Sequence, residues 1–142
     1  MPILNYTTQI GADKTIMEIQ QILASHNADA ILNEYGNGYI IAMSFRMTIN
    51  EKSIGFKLPC EWKPILKILE DDPKVPGKLK TREQALRVSW RIVKDWVEAQ
   101  MAFIEAKQVK FEQVFLSYAV GQDGRTFFES VEANNLLTEG DK

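Results

Sequence analysis

The feature that most constrains the fold is a helical pattern that continues without a break from residue 81 to about residue 106. On a helical wheel its apolar side chains cover an arc of about 220°. A helix that lies on one surface buries a narrower stripe. This helix is therefore expected to be covered on two sides, by a sheet and by another helix or a second subunit. Trp96 falls near the middle of the arc and is predicted to be core, whereas Trp90 falls at its border and is predicted to be partly open.

Capping signals mark the start of this helix and of two others. The sequence TREQ at residues 81–84 forms a capping box, which gives partners to two backbone amides at a helix start. Asp13 or Thr15 can cap the first helix, and Thr15 with Glu18 repeats the pattern there. Thr126 with Glu129 repeats it near the other end of the chain. These positions predict where three of the helical segments begin.

The N-terminal half predicts a sheet. Alternating apolar residues favour a first strand at residues 3–10, and a period near 3.6 then favours a helix over residues 11–27. The sequence Gly-Asn-Gly at residues 36–38 predicts a tight hairpin between strands at 30–35 and 39–47, and residues 53–58 add a further strand. One face of these strands is strongly apolar, so it requires a helical cover.

The whole chain is predicted to be one domain, residues 1–142, because 142 residues are enough for a single core. Residues 1–59 carry a β-α-β-β-β pattern, and residues 60–142 are mainly helical. Residues 135–142 are predicted to fray. The predicted fold is α+β: an antiparallel sheet of about four strands, covered on one face by the N-terminal helix and the long helix.

Composition predicts a soluble, intracellular protein. Hydrophobic residues make up 45% and charged residues 25% of the chain, as in ordinary globular domains. The single cysteine, Cys60, excludes an internal disulfide. The first residues do not form a signal-peptide pattern, and no apolar run reaches the length of a membrane helix. No contact with a membrane is expected.

Positive charge is concentrated in one segment. Residues 74–94 contain seven cations and one anion, a local charge of +6 in a chain whose net charge is −2. Three spacings of four residues (Glu83 with Arg87, Arg91 with Asp95, Lys94 with Glu98) predict helix-surface ion pairs, each worth about 0.2–0.5 kcal/mol. Such pairs explain part of the charge as helix support and solubility.

The excess that these pairs leave lies at the N-terminal end of the long helix. Free amides and the helix dipole favour an anion at such an end. A phosphate-bearing ligand is therefore one hypothesis for this region, with a tryptophan as its stacking surface. The candidate ligand-binding residues are Lys78, Lys80, Arg82, Arg87, Trp90, Arg91 and Lys94.

Residues that would indicate an enzyme are scarce. One histidine, His26, and one cysteine, Cys60, do not supply a metal-ligand set, and no third group marks them as a nucleophilic pair. The Gly-Asn-Gly sequence is a hairpin signal, and the chain contains no phosphate-binding loop motif. The sequence therefore predicts a protein that is not an enzyme and that requires no cofactor or metal.

Three segments carry a family resemblance: PILNYTTQI at the start, QALRVSWRIVKDWVEAQMAFIE in the long helix, and EQVFLSYAV followed by DGRTFFE near the end. They resemble an uncharacterised family of small proteins encoded by phages and other bacterial mobile elements. The resemblance covers most of the chain and implies a bacterial or phage cytoplasm. It assigns no catalytic residues. Small phage proteins without catalytic machinery are often antagonists of host defence.

The leading hypothesis is a non-enzymatic host-defence antagonist that sequesters an anionic, nucleotide-type ligand. One alternative is a protein–protein inhibitor of a host defence factor, similar to an anti-CRISPR protein, that uses its acidic surface or Trp62. Another is a single-stranded nucleic-acid-binding protein, which the net charge disfavours. A structural or packaging role in the phage particle is a further possibility. The wide apolar arc also predicts a homo-oligomer, most simply a symmetric dimer.

Overall fold

A computed structural model describes residues 1–134 and confirms the α+β class. The predicted tail at residues 135–142 lies outside the described residues. Short 3-10 turns occupy Gly77–Leu79 and Leu116–Tyr118. The helices and strands, in chain order, are α1 (Ala12–Ser25), β1 (Ala30–Gly36), β2 (Tyr39–Ile49), β3 (Lys52–Lys57), α2 (Trp62–Asp71), α3 (Arg82–Glu105), α4 (Phe111–Phe115) and α5 (Phe127–Ala133).

Within residues 1–134 the sheet has three strands in the order β1-β2-β3, and both pairings are antiparallel. The hairpin between β1 and β2 is the predicted one, with positive φ angles at Asn37 (53°) and Gly38 (84°). A second tight turn at Asn50 and Glu51, both also at positive φ, leads into β3. The three strands therefore form a simple antiparallel meander.

The predicted fourth strand, at residues 3–10, is wrong. The amide of Tyr6 donates to the Ile3 carbonyl at 3.2 Å, and the amide of Thr8 donates to the Asn5 carbonyl at 3.0 Å. Asn5 has a φ of 67°, which interrupts an extended chain. Apolar alternation suggested a strand, but Ile3 and Tyr6 pack instead against a small cluster formed by Leu69, Val75 and Ala85.

One face of the sheet is packed against α1 and α3. The buried cluster contains Met43, Phe45 and Met47 of β2, together with Phe56 and Leu58. From the helices it receives Ile16, Ile19 and Leu23 of α1 and Leu86, Trp90, Val93, Val97 and Met101 of α3. Phe115 of α4 closes one end of the cluster, with its ring centroid 5.8 Å from that of Phe45. The apolar side chains that alternate along the strands and those that recur every 3.6 residues along the helices thus pack in one core.

The wide apolar arc of α3 is buried within the chain. α1 packs on one side of α3, and α2 packs on another. Ala85 joins Leu69 of α2 and Val75 in the smaller cluster. The arc therefore does not by itself require a second subunit, and the predicted oligomer stays a prediction.

The prediction for the two tryptophans of α3 is reversed. The Trp90 side chain is 0% exposed, and its indole N–H donates to the Ile40 carbonyl at 3.2 Å. Trp96 is only partly buried, and its ring packs edge-on against Phe115 and Tyr118. A helix covered on two sides buries the border of its arc as well as the middle, so the wheel position alone did not predict exposure.

The capping predictions had mixed outcomes. α1 begins after Gly11, so the predicted cap at Asp13 or Thr15 is wrong. Thr15 is buried inside the helix, and no group among residues 1–134 forms a hydrogen bond with its hydroxyl. The Thr126 and Glu129 capping box is confirmed at α5. Thr81 caps α3 as predicted, accepting from the Gln84 amide at 3.1 Å. The side chain of Gln84 does not complete the capping box but donates to backbone carbonyls of the N-terminal segment.

Candidate functional site

Four of the predicted site residues lie around the N-terminal end of α3, and we call them the basic corner: Lys78, Lys80, Arg82 and Arg87. The Arg82 guanidinium lies over the Tyr39 ring, 4.8 Å from its centroid. The Lys80 ammonium donates to the Glu70 carbonyl at 3.1 Å, in the last turn of α2, where a cation is favoured. Arg87 donates to the side-chain oxygen of Gln84 at 3.2 Å.

Arg91 and Lys94 have carboxylate partners instead. Arg91 donates to Glu18 of α1 at 2.8 Å, and both side chains are more than half buried. The predicted pair of Arg91 with Asp95 is wrong, because the Asp95 carboxylate accepts from the Asn5 side-chain amide at 2.9 Å. Lys94 pairs with Glu98 at 3.2 Å, as predicted. These two cations stabilise the packing and surface of α3.

Glu83 does not form the predicted ion pair with Arg87 among the described residues. Its carboxylate accepts from the Tyr39 hydroxyl at 2.9 Å. Its own backbone amide and that hydroxyl, with the nearby charges of Arg82 and Arg87, hold the pKa of Glu83 below its usual range. Glu83 therefore stays charged near neutral pH and ties the first turn of α3 to the start of β2.

A polar cleft of about 490 Å³ lies between the N-terminal segment and the basic corner. Among the described residues, its wall includes Lys78 and Arg87 but no carboxylate, and it is completed by Thr7, Thr8, Gln9, Pro76, Leu79 and Gln84. No hydrogen bond or ion pair within residues 1–134 engages the Lys78 ammonium, which leaves this charge available to a ligand. Two cations and two hydroxyl groups form a donor set suited to an anion.

Gln84 fixes the shape of the polar cleft. It is 3% exposed, and its side-chain amide donates to the carbonyls of Tyr6 and Thr8 at 2.9 and 3.0 Å. The side-chain oxygen of Gln84 accepts from Arg87. One amide therefore holds the N-terminal wall of the cleft in place and orients one of its two cations.

An apolar cleft of about 250 Å³ also has Arg87 in its wall. It lies between the start of α1, the start of β2 and α3. Its apolar lining comes from Ala12, Ile16, Ile40 and Leu86, whereas Asp13, Glu83 and Tyr39 add polar groups. Arg87 therefore belongs to both clefts, one polar and basic, the other apolar with two carboxylates.

The aromatic side chain at the basic corner is Tyr39. Trp90 offers no stacking surface to a ligand, because its ring is buried and its N–H is bonded to the backbone. Tyr39 lies in the walls of the apolar cleft and of a smaller cleft of about 150 Å³ that also contains Arg82 and Trp62. Sequence reasoning missed Tyr39, although its position directly after the Gly-Asn-Gly turn determined where the hairpin places it. Trp62 is partly buried against the core, with the Lys63 ammonium 5.9 Å from its ring centroid.

His26 and Cys60 have separate structural surroundings. The two ring nitrogens of His26 contact the Ile22 carbonyl, at 2.8 Å, and the Glu105 carboxylate. Burial raises the pKa of the Cys60 thiol to about 12, and its sulfur lies 3.2 Å from the Ser89 hydroxyl. A thiol of this kind is protonated, and therefore unreactive, near neutral pH.

Two observations concern the described residues as a whole. Within residues 1–134, no three His, Cys, Asp or Glu side chains come together as a metal-binding group. None of the helices in that range combines the length and apolar character needed to cross a membrane.

Comparisons of the chain with protein-family models, with curated proteins and with solved structures find no match.

Proposed function

We propose that this protein is a non-enzymatic binding protein of a phage or mobile element, which antagonises host defence by sequestering an anionic, nucleotide-type ligand at the basic corner. The observation that carries the proposal is the meeting of a polar, basic cleft and an apolar cleft at Arg87. A nucleotide has the matching division into a phosphate part and a base.

The polar cleft supplies the phosphate contacts. Lys78 and Arg87 give charge-assisted hydrogen bonds, and the hydroxyl groups of Thr7 and Thr8 are further donors. The first turn of α3 contributes its dipole at the same end. Because no carboxylate among the described residues lines this cleft, a bound phosphate meets no negative charge in its wall.

The apolar cleft supplies the base contacts. Ile16, Ile40 and Leu86 form an apolar lining for a planar ring, and Tyr39 lies at one side. The carboxylates of Asp13 and Glu83 accept hydrogen bonds, so a base with an exocyclic amino group is favoured. Taken together, the two clefts reach the range of roughly 300–1,000 Å³ that is usual for small-molecule sites.

Isothermal calorimetry with cyclic nucleotides and ADP-ribose-type compounds tests the proposal. We expect at least one of these ligands to bind, and the Arg87→Gln substitution to weaken that binding by roughly ten-fold or more, since a charge-assisted hydrogen bond is lost. Lys78→Gln is expected to act in the same direction. Lys52→Gln, on the exposed part of β3, is the matched control and should leave affinity unchanged. Absence of binding across the whole panel would overturn the proposal.

A protein–protein inhibitor is the second candidate, and one observation favours it. The sheet face that α1 and α3 do not cover has a shallow depression of about 390 Å³, beside which Leu32 is 59% exposed. An exposed apolar site of this kind suits a protein partner. A pull-down that returns one host protein, with recovery unaffected by nucleotides and abolished by Leu32→Glu, would support this candidate over the first.

A further inference from the structure

The outer edge of β1 is unpaired in the described structure. The sheet ends at β1, whereas the outer edge of β3 receives a short bridge in which the Val120 amide donates to the Gly55 carbonyl at 2.8 Å. An open strand edge presents backbone donors and acceptors that another strand can pair with. The β1 edge of this sheet is therefore open among the described residues, whereas the β3 edge is partly paired.

The hydrogen-bond pattern identifies which groups of β1 point outward. The Leu58 amide donates to the Met43 carbonyl at 3.0 Å, so Met43 and the residues two apart from it in β2 point toward β3. The alternate residues of β2, including Ser44, point toward β1, where Ser44 is opposite Leu32. The amide and carbonyl groups of Ile31 and Asn33 must therefore point away from the sheet. Within residues 1–134 no hydrogen bond reaches them.

Asn33 carries a second unsatisfied group. Its side chain lies on the covered face of the sheet, opposite Met43, and its Oδ1 atom is buried without a hydrogen-bond partner in the part of the chain that the structure describes. A buried acceptor without a partner is uncommon and costs stability. Its location on the open edge places it where an added strand could supply the missing donor.

We propose that two copies of this chain pair through β1 in antiparallel fashion, with Asn33 on the two-fold axis, to form a six-stranded sheet. The outward amide and carbonyl of Asn33 then bond to those of Asn33 of the partner subunit. The two side-chain amides lie next to each other across the axis, where each can donate to the other. This arrangement is independent of the ligand proposed for the basic corner.

The pattern of outward groups leaves few alternative registers. A pairing centred on Glu34 would place two carboxylates directly opposite each other, which is destabilising. A pairing centred on Leu32 would place Asn33 opposite an isoleucine, which has no side-chain donor. The register centred on Asn33 uses all seven residues of β1 and places Leu32 opposite the partner's Glu34. The bulge near the end of β1 does not interfere, because its extra residue, Ile41, belongs to β2.

Self-pairing is favoured over an unrelated strand because β1 is its own complement. A two-fold axis through Asn33 pairs one unsatisfied amide with an identical one, which a generic partner strand would not supply. The same axis brings Ile31 opposite the partner's Tyr35, and Tyr35 is 69% exposed in the single chain. A cross-strand pair of an aromatic and a β-branched side chain stabilises a sheet.

Engineered disulfides test the register. Leu32 and Glu34 are exposed, so Leu32→Cys and Glu34→Cys are expected to fold normally. We expect the two variants, refolded together and oxidised, to form a disulfide-linked dimer at several times the yield of either variant alone. Directly opposed residues have Cα atoms within disulfide range, whereas identical residues are two positions apart in this register. Cys60 is only partly exposed and its thiol stays protonated near neutral pH, so background cross-linking is low.

Different cross-linking results would overturn the proposal. Efficient cross-linking of Leu32→Cys alone indicates a pairing centred on Leu32, and efficient cross-linking of Glu34→Cys alone indicates one centred on Glu34. Absence of cross-links from the mixture and from both single variants shows that β1 does not pair with itself.

Sedimentation measures the association directly. The unmodified chain is expected to be dimeric at micromolar concentration, and Asn33→Pro is expected to raise the dimer dissociation constant at least ten-fold by removing an outward donor. Ser53→Pro removes the corresponding outward donor at the opposite edge of the sheet and should leave the dimer intact. Asn33→Ala, which retains the backbone amide, covers the case in which Asn33→Pro does not fold, and it should also weaken the dimer. A monomeric unmodified chain would refute the proposal.

Discussion

The first two turns of α3 and the next two carry similar positive charge but use it differently. In the third and fourth turns, Arg91 contacts Glu18 and Lys94 contacts Glu98, so carboxylates of the protein neutralise both charges. In the first two turns, Arg82 lies over an aromatic ring and Arg87 donates to an amide oxygen. The charges of the first two turns are therefore the ones available to a ligand. The partner of each cation, and not the number of cations, distinguishes the two regions.

The largest expected effect is in the third turn, at Trp90. Trp90→Ala should lower the free energy of unfolding by about 3–5 kcal/mol, since it empties the space of a fully buried indole. Trp96→Ala should cost less, because part of that ring is already exposed. Denaturant titration of both variants measures the difference. An equal or larger cost at Trp96 would contradict the burial described for the two side chains.

Removal of one cation from each region gives the next largest effect. Arg91→Gln should lower the free energy of unfolding by about 1–2 kcal/mol, because it leaves the half-buried Glu18 carboxylate without its charged partner. Arg87→Gln should change stability by less than about 0.5 kcal/mol. Chemical denaturation provides both values. If the two substitutions cost the same, the division of α3 into a structural and a ligand-binding region fails.

A double-variant cycle sharpens this comparison. Glu18→Gln should lower the free energy of unfolding about as much as Arg91→Gln does. The double variant should lower it little further, because each single substitution already removes the same contact. Additive losses would show that Arg91 and Glu18 act separately.

The smallest expected effect concerns pH and Glu83. The pKa of Glu83 is lower in the folded chain than its ordinary value of 4.5, so its contribution to stability is present above that pH. The contribution is lost as the pH falls through the lower, folded value. Stability measured from pH 6 down to pH 3 should therefore fall less steeply in Glu83→Gln than in the unmodified chain. Tyr39→Phe should reduce the slope in the same direction by removing one donor, and identical slopes would show that this carboxylate is unperturbed.

Local patterns in the sequence predicted most of the elements. The Gly-Asn-Gly hairpin, the limits of α1 and α3 within about two residues, and the capping box at Thr126 depend on neighbouring residues, which a sequence shows directly. The failure at residues 3–10 has the opposite cause. There, the choice between strand and turn depends on the contacts of Ile3 and Tyr6 with residues more than sixty positions away.

The site was only partly predictable for the same reason. The spacing of charges suggested Asp95 as the partner of Arg91, but Arg91 forms its ion pair with Glu18 on another helix. The sequence did not predict the contacts of Gln84. Its position fits a capping-box pattern, but its side chain donates to carbonyls of the N-terminal segment. The two clefts depend on how α1, β2 and α3 approach one another, and no local pattern encodes that geometry.

Burial of Trp90 gives the molecule an optical reference. Its indole is enclosed in the core and bonded to a carbonyl, so its fluorescence should be emitted at short wavelength and should shift to the red only on unfolding. Trp62 lies in the wall of the cleft that contains Arg82 and is partly accessible to solvent. A form of the protein that keeps only Trp90 would report on the integrity of the core, and one that keeps only Trp62 would report on events at the basic corner. The two signals can be recorded under identical conditions, which separates occupation of a cleft from loss of the fold.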